Sequence, residues 1–193
     1  MRRLKLQMQM SIDGFVSTGP NDEQHWVTWA WEEIRGHVLG LFDSSDTILI
    51  GRKLAIDYIP YWQDVNTKPD DAMYEVAQRI DPAKKIVFTK TLDPSDAMVT
   101  KWNNTTLAKG NLVEEVKKLK LQSGKDIIVY GGSTFVSALI KEGLIDEFHM
   151  FVNPVALGQG VAVFDGLEKH RDLVLKKSIV YDCGIVLLHY EPK

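Results

Sequence analysis

The run Ile127-Ile128-Val129-Tyr130-Gly131-Gly132-Ser133-Thr134 carries the strongest chemical signal in the chain. An apolar segment of strand type leads into two glycines and then a helix whose first turn bears hydroxyls. Glycine lets a ligand approach the backbone, and a helix N-terminus offers free N–H groups and partial positive charge. Pyrophosphate suits such a place. A tight strand-to-helix turn capped by Ser133 or Thr134 suits it equally, because the full dinucleotide fingerprint is absent. The segment Ile48-Leu49-Ile50-Gly51-Arg52-Lys53 repeats the arrangement, a strand ending in glycine and two cations. Arg52 can make forked contacts to phosphate, while the same residues also form an ordinary solvated basic turn. Thr89-Lys90 closes a third strand with a hydroxyl and a cation. Ligands in open α/β sheets bind beyond the carboxyl ends of strands, so three such ends point together to a phosphorylated nucleotide.

The elements that must position these residues follow from periodicity. Leu4 to Met10 alternates apolar and polar residues as a strand does. Ser11-Ile12-Asp13-Gly14 breaks it, Phe15-Val16 resumes briefly, and Thr18-Gly19-Pro20-Asn21-Asp22 reads as a loop. A helix is expected from Trp26 to Phe42, with Trp31, Ile34, Val38, Leu41 and Phe42 on one face. A strand at Thr47–Ile50 is followed by a weak helix through Tyr58, stopped by Pro60. Asn66 to Asp71 reads as a surface loop, and Asp71–Arg79 as a short helix. Lys85–Thr89 and Ala97–Trp102 read as strands, Leu112–Leu121 as a helix, Asp126–Tyr130 as a strand and Thr134–Lys141 as a helix. Phe148–Val152, Val174–Val180 and Ile185–Tyr190 are the remaining strands. Strands alternating with helices predict an α/β fold with a largely parallel sheet, and the helix-free end predicts a terminal antiparallel hairpin.

The chain has 193 residues, 45% hydrophobic and 25% charged, enough for one well-buried core; a single domain over 1–193 is the expectation. A net charge of −3 gives no sequence-wide basic field for nucleic acid. The single cysteine, Cys183, excludes an intramolecular disulfide and fits a reducing cytoplasm. No stretch reaches the ~20 apolar residues a membrane-spanning helix needs, and the start, Met1-Arg2-Arg3-Leu4, lacks the apolar run of a signal peptide. A cytoplasmic protein is expected.

The motifs and their order resemble the dihydrofolate-reductase-like family, and most closely its branch similar to the reductase domain of the riboflavin-biosynthesis deaminase/reductase. The resemblance rests on Ser11-Ile12-Asp13-Gly14, Gly51-Arg52-Lys53, Val87-Phe88-Thr89-Lys90, Tyr130-Gly131-Gly132-Ser133 and Leu144-Ile145-Asp146-Glu147. Asn153-Pro154-Val155-Ala156-Leu157-Gly158-Gln159-Gly160 joins them, so it spans nearly the whole chain. It implies a mixed, mostly parallel central sheet flanked by helices, a homodimer, and an NADPH-dependent reductase of a small pterin-, pyrimidine- or flavin-like heterocycle. Gly51, Arg52, Lys53, Thr89 and Lys90 would flank the 2′-phosphate and pyrophosphate. Gly131, Gly132, Ser133 and Thr134 would hold the pyrophosphate, and Gln9, Asp13, Gly14 and Val16 would lie beside the nicotinamide. Leu54 stands where the family often has threonine, which removes one phosphate hydrogen bond.

A reduction also needs a proton, from an acid or from water. Asp13 and Glu32 are the candidates, with Glu33 beside the latter. Asp13 also suits a structural turn, and Glu32 and Glu33 a solvated helix face. Trp26, Trp29 and Trp31 read as core aromatics that could instead floor a flat pocket. The five histidines (His25, His37, His149, His170 and His189) show no metal-ligand spacing, so no metal is expected. The alternatives are a dihydrofolate reductase proper, or a nucleotide-binding homodimer without turnover.

Overall fold

In chain order the elements are β1 (Leu4–Ser11), β2 (Phe15–Ser17), α1 (His25–Thr28), α2 (Trp31–Asp43), β3 (Ser45–Gly51), α3 (Arg52–Val65), α4 (Tyr74–Ile80) and β4 (Lys84–Phe88). They continue with β5 (Thr105–Ala108), α5 (Leu112–Leu121), β6 (Asp126–Val129), α6 (Ser133–Lys141), β7 (Glu147–Asn153), β8 (Val161–Ala162), β9 (Leu173–Val180) and β10 (Val186–Pro192). The structure, a computed structural model, describes residues 1–19 and 25–193. The strand order is β5-β4-β3-β6 among residues 45–129 and β1-β7-β10-β9 among the other long strands, with β2 and β8 paired separately. This is the mixed, mostly parallel dihydrofolate-reductase-like sheet. The chain forms two compact units, one of residues Met1–Arg2 and Leu39–Gly132, the other of Arg3–Val38 and Ser133–Lys193.

In the first unit β3 pairs in parallel with β4 and β6, and β4 with β5. Ile48, Leu49, Ile50, Val87, Ile127, Ile128 and Val129 are all buried, as expected of strands covered on both faces. Asn111 caps α5, its side-chain oxygen accepting the N–H groups of Val113 and Glu114. Arg2 ties the start of the chain to this unit, donating to Asp46, to Thr47 Oγ1 (2.6 Å) and to the Lys125 carbonyl (2.5 Å).

In the second unit β1 pairs in parallel with β7, from Lys5 opposite Glu147 to Ser11 opposite Asn153. β10 is antiparallel to both β7 and β9, which is the expected terminal hairpin. The Asp146 carboxylate accepts the Leu4 N–H at 2.7 Å, and Leu144 and Ile145 are buried, so the Leu144–Glu147 motif anchors the entry to β7.

Three expectations are corrected. The helix expected from Trp26 to Phe42 is two helices separated at Trp29 and Ala30. The helix after β3 does not stop at Pro60 but runs on to Val65, because Tyr58, Ile59, Trp62 and Val65 bury one continuous face that outweighs the missing N–H. Ala97–Trp102 is not a strand; Val99–Lys101 is a 3-10 turn that delivers Trp102 into the core. The strand of that region is β5, whose short, half-exposed sequence Thr105-Thr106-Leu107-Ala108 gives little alternation. Of the loop expected at Thr18–Asp22, residues 20–22 lie outside the described residues.

Candidate functional site

Parallel pairing in the first unit sets its phosphate-compatible strand ends level. Gly51 stands opposite Phe88 and Phe88 opposite Ala108, while Leu49 opposite Val129 puts Gly51 level with Gly131. Gly51, Thr89 and Gly131 thus share one edge, the carboxyl edge of the sheet where ligands of open α/β folds bind. Gly51 is also the extended N-cap of α3 (φ −77°, ψ 149°), and no side chain caps that helix. The first N–H groups of α3, at Arg52 and Lys53, therefore have no side-chain cap from Gly51. Arg52 is half-buried and Lys53 exposed.

The other residues of this edge are more occupied. Thr89 is buried, and its hydroxyl accepts the N–H groups of Thr91 (3.1 Å) and Leu92 (3.0 Å), closing the turn after β4. Lys90 Nζ donates to the Lys109 carbonyl at 3.1 Å. At Gly131 a β-carbon would stand 3.0 Å from Leu54 Cδ2, so this glycine makes room for the Leu54 side chain. Gly132 has φ +81°, which glycine alone adopts without strain. Tyr130, between the strand and the glycines, packs edge-on against Phe42 and Tyr58 (centroids 5.6 and 5.5 Å).

The remaining site residues belong to the second unit. Ser133 and Thr134 open α6, Val16 is buried in β2, and Gln9 lies near the carboxyl end of β1. The Asp13 carboxylate accepts the N–H groups of Leu157 (3.0 Å) and Gly158 (2.7 Å). Hydrogen bonding within the Ser11 turn and from Gly158 holds that carboxyl below the usual range. Asp13 therefore joins the Ser11–Gly14 turn to the 157–158 loop. Glu32 pairs with Arg35 on the exposed face of α2 (3.1 Å), and Glu33 accepts the Cys183 N–H at 2.9 Å. None of the three tryptophans is a fully buried core residue: Trp29 is 53% exposed, and Trp26 and Trp31 are only half-buried.

Asn153 is a polar residue whose part sequence reasoning missed. Fully buried at the end of β7, it donates to Gln9 Oε1 (2.8 Å) and accepts from Trp29 Nε1 (3.1 Å). Its place in the Asn153–Gly160 motif was visible; its partners needed the β1–β7 register. Strand pairing likewise gathers histidines that the spacing keeps apart. His149 lies opposite His189, rings stacked at 4.2 Å, and His149 Nε2 meets Glu147 Oε2 at 3.0 Å. Burial pushes Glu147 up, but the His149 hydrogen bond with the Lys5 and Arg3 charges outweighs it and leaves the carboxyl below its usual range. Burial pulls His37, 3.2 Å from His149, down to about 4.

The family described as the RibD C-terminal domain matches residues 2–187. The chain is also 33% identical over 195 residues to the uncharacterized protein YyaP of Bacillus subtilis, covering 98% of this chain and 94% of that one. The chain belongs to the RibD C-terminal domain family. The riboflavin biosynthesis protein RibD of Corynebacterium ammoniagenes is 23% identical over 82% of this chain, which corresponds to 44% of that protein. Among solved structures, a putative riboflavin biosynthesis protein from Shewanella sp. PV-4 shares the fold with a TM-score of 0.71 at 22% identity, over 100% of this chain and 99% of that one. Acinetobacter baumannii RibD shares it at a TM-score of 0.65 and 19% identity, over 58% of that chain. Its RibD-like relatives support a reductase for this member of the RibD C-terminal domain family. Among the described residues no helix is long and apolar enough to cross a membrane.

Proposed function

We propose that this chain is an NADPH-dependent reductase of a small heterocycle, with a pyrimidine-type ring first among the pterin-, pyrimidine- and flavin-like candidates. The observation that carries the reading is the level carboxyl edge of β3, β4 and β6, where α3 begins without a side-chain cap and with two cations in its first turn. Those residues fit an anionic dinucleotide. Arg52 and Lys53 would hold the 2′-phosphate, the α3 amides and the Gly131–Gly132 turn the pyrophosphate, with Lys90 and Thr89 beside them and Ser133 and Thr134 at the opening of α6. When bound, NADPH supplies hydride.

What the chain itself contributes on the substrate side is positioning. Asn153 fixes the amide of Gln9 and the indole of Trp29, and Asp13 fixes the loop at Leu157 and Gly158. Proton delivery is assigned to Glu32 or water, with Asp13 held ionised as a positioning group. A pyrimidine-type ring is favoured because relatives of this family are named for riboflavin biosynthesis. One observation favours the reading without turnover: Asp13, Glu32 and Glu33 are each engaged by a partner within the protein.

The test is calorimetry with NADPH and NADH, then NADPH absorbance with dihydrofolate, a riboflavin-pathway pyrimidine and oxidised flavins. Oxidation with the pyrimidine, lost in Glu32→Gln, supports the proposal. Preference for dihydrofolate would make the chain a dihydrofolate reductase proper. Tight NADPH binding without oxidation would leave a nucleotide-binding protein, and absence of binding would remove the reading.

A further inference from the structure

We propose that Glu147, His149 and His189 form a buried site for a borderline divalent metal ion of the zinc type. The three residues lie within the second unit on two hydrogen-bonded strands. Glu147 and His149 alternate on β7 and so project from the same face of the sheet, and His189 of β10 stands directly opposite His149. Each offers one donor atom, and the three atoms lie within 4.8 Å of one another. The Glu147 Oε2 atom is 3.0 Å from His149 Nε2 and 3.5 Å from His189 Nε2. Those separations bracket the edge of roughly 3.3 Å that a tetrahedron with bonds of about 2.0–2.1 Å requires.

The surroundings complete the case. His189 Nε2 is buried and finds no hydrogen-bond partner among the described residues, an uncommon state for a buried ring nitrogen. Glu147 and His149 are buried as well, so the donors are shielded from competing water. Two of the three ligands, Glu147 and His149, already have an outer partner, the arrangement by which proteins fix ring tautomer and carboxylate direction. Arg3 Nη1 holds the other oxygen of Glu147 at 3.0 Å, and His37 Nε2 meets the other nitrogen of His149 at 3.2 Å. Arg3 spreads its remaining charge onto Glu191 at 2.8 Å, which Lys176 also reaches at 3.3 Å. Two imidazoles and one carboxylate are a zinc donor set, too nitrogen-rich for magnesium or calcium. Three protein ligands would tie β7 to β10 and leave a fourth position on the ion for water.

The test uses the untagged full chain, stripped with chelator and then titrated with Zn2+ or Co2+. One ion per chain is expected, with the intense visible bands of four- or five-coordinate cobalt. His189→Phe and His149→Ala should abolish the bands and weaken Zn2+ binding at least 100-fold. His37→Phe should weaken it about ten-fold, as outer partners do. Mg2+ should not compete. Circular dichroism on each variant separates lost binding from lost folding, and the titration of the unmodified chain stands without any variant. Absence of saturable one-to-one binding overturns the site. So does binding that survives in His189→Phe but disappears in His25→Ala or His170→Ala, which would place the ion on exposed histidines.

Discussion

Arg52 and Lys85 show how position decides what a cation does. Arg52 is a half-buried residue at an uncapped helix start on the carboxyl edge of the sheet. A lost charged hydrogen bond is worth about 1.5–3 kcal/mol, so Arg52→Ala should shrink the NADPH-over-NADH preference by about ten-fold or more. Calorimetry of both cofactors against both proteins checks it; an unchanged ratio would remove Arg52 from the 2′-phosphate. Lys85 does structural work instead. It is 1% exposed, and its ammonium donates to the carbonyls of Ile80 (3.1 Å), Asp81 (2.7 Å) and Ala83 (3.0 Å), closing the end of α4. Burial pulls this group down to about 8 from its ordinary 10.5. Between those values the unfolded chain holds a proton that the folded chain has released, so stability rises with pH there. Lys85→Met should cost about 1–3 kcal/mol at pH 7 through the orphaned carbonyls. It should also remove a rise in stability above pH 8. Denaturant midpoints of both proteins at pH 7.5 and 9.5 would show it, and parallel pH slopes would contradict it.

At the scale of elements, the turn between β6 and α6 links backbone conformation to the proposed ligand. Gly132 at φ +81° forces any substituted side chain into the left-handed region, at roughly 1–2 kcal/mol. Gly132→Val should lower the melting temperature by a few degrees and, independently, weaken NADPH binding. A destabilised variant that binds NADPH normally would make the turn structural only. This turn was legible in the sequence because glycine pairs after an apolar run leave few conformations. The parallel alternation and the closing hairpin were legible for the same reason, strong periodicity. What escaped was set by tertiary packing. Helix α3 continues past Pro60 because of the face it buries, and β5 has too little alternation to announce itself. The site divided along the same line. Gly51, Arg52 and Gly131 could be read from local motifs, but Asn153 between Gln9 and Trp29, and His149 opposite His189, exist only through strand register.

For the whole molecule, the family resemblance leads to the expectation of a homodimer, and β9 offers a place for it. This strand ends the sheet order, runs eight residues and is largely exposed, with Leu175 49% and Val180 75% accessible. Long edge strands with apolar side chains are templates for pairing with another chain. Light scattering should give twice the 21.9 kDa of one chain, and Leu175→Lys with Val180→Lys should shift the protein toward monomer. A dimer unaffected by both changes would place the seam elsewhere; a native monomer would end the expectation.

The division of the chain into two sequence-interleaved units also sets an order of events during synthesis. The Leu4 N–H finds its partner, Asp146, 142 positions later, whereas residues 39–132 contain nearly all of the first unit. At about 5–20 residues per second on the ribosome, β1 waits roughly 7–30 s for β7, with Leu4, Leu6 and Met8 still uncovered. One half of the protein thus has time to mature while the opening strand of the other remains an apolar tether. The nascent chain is most exposed to holdase binding and misassociation in that interval, and the emergence of β7 brings it to a close.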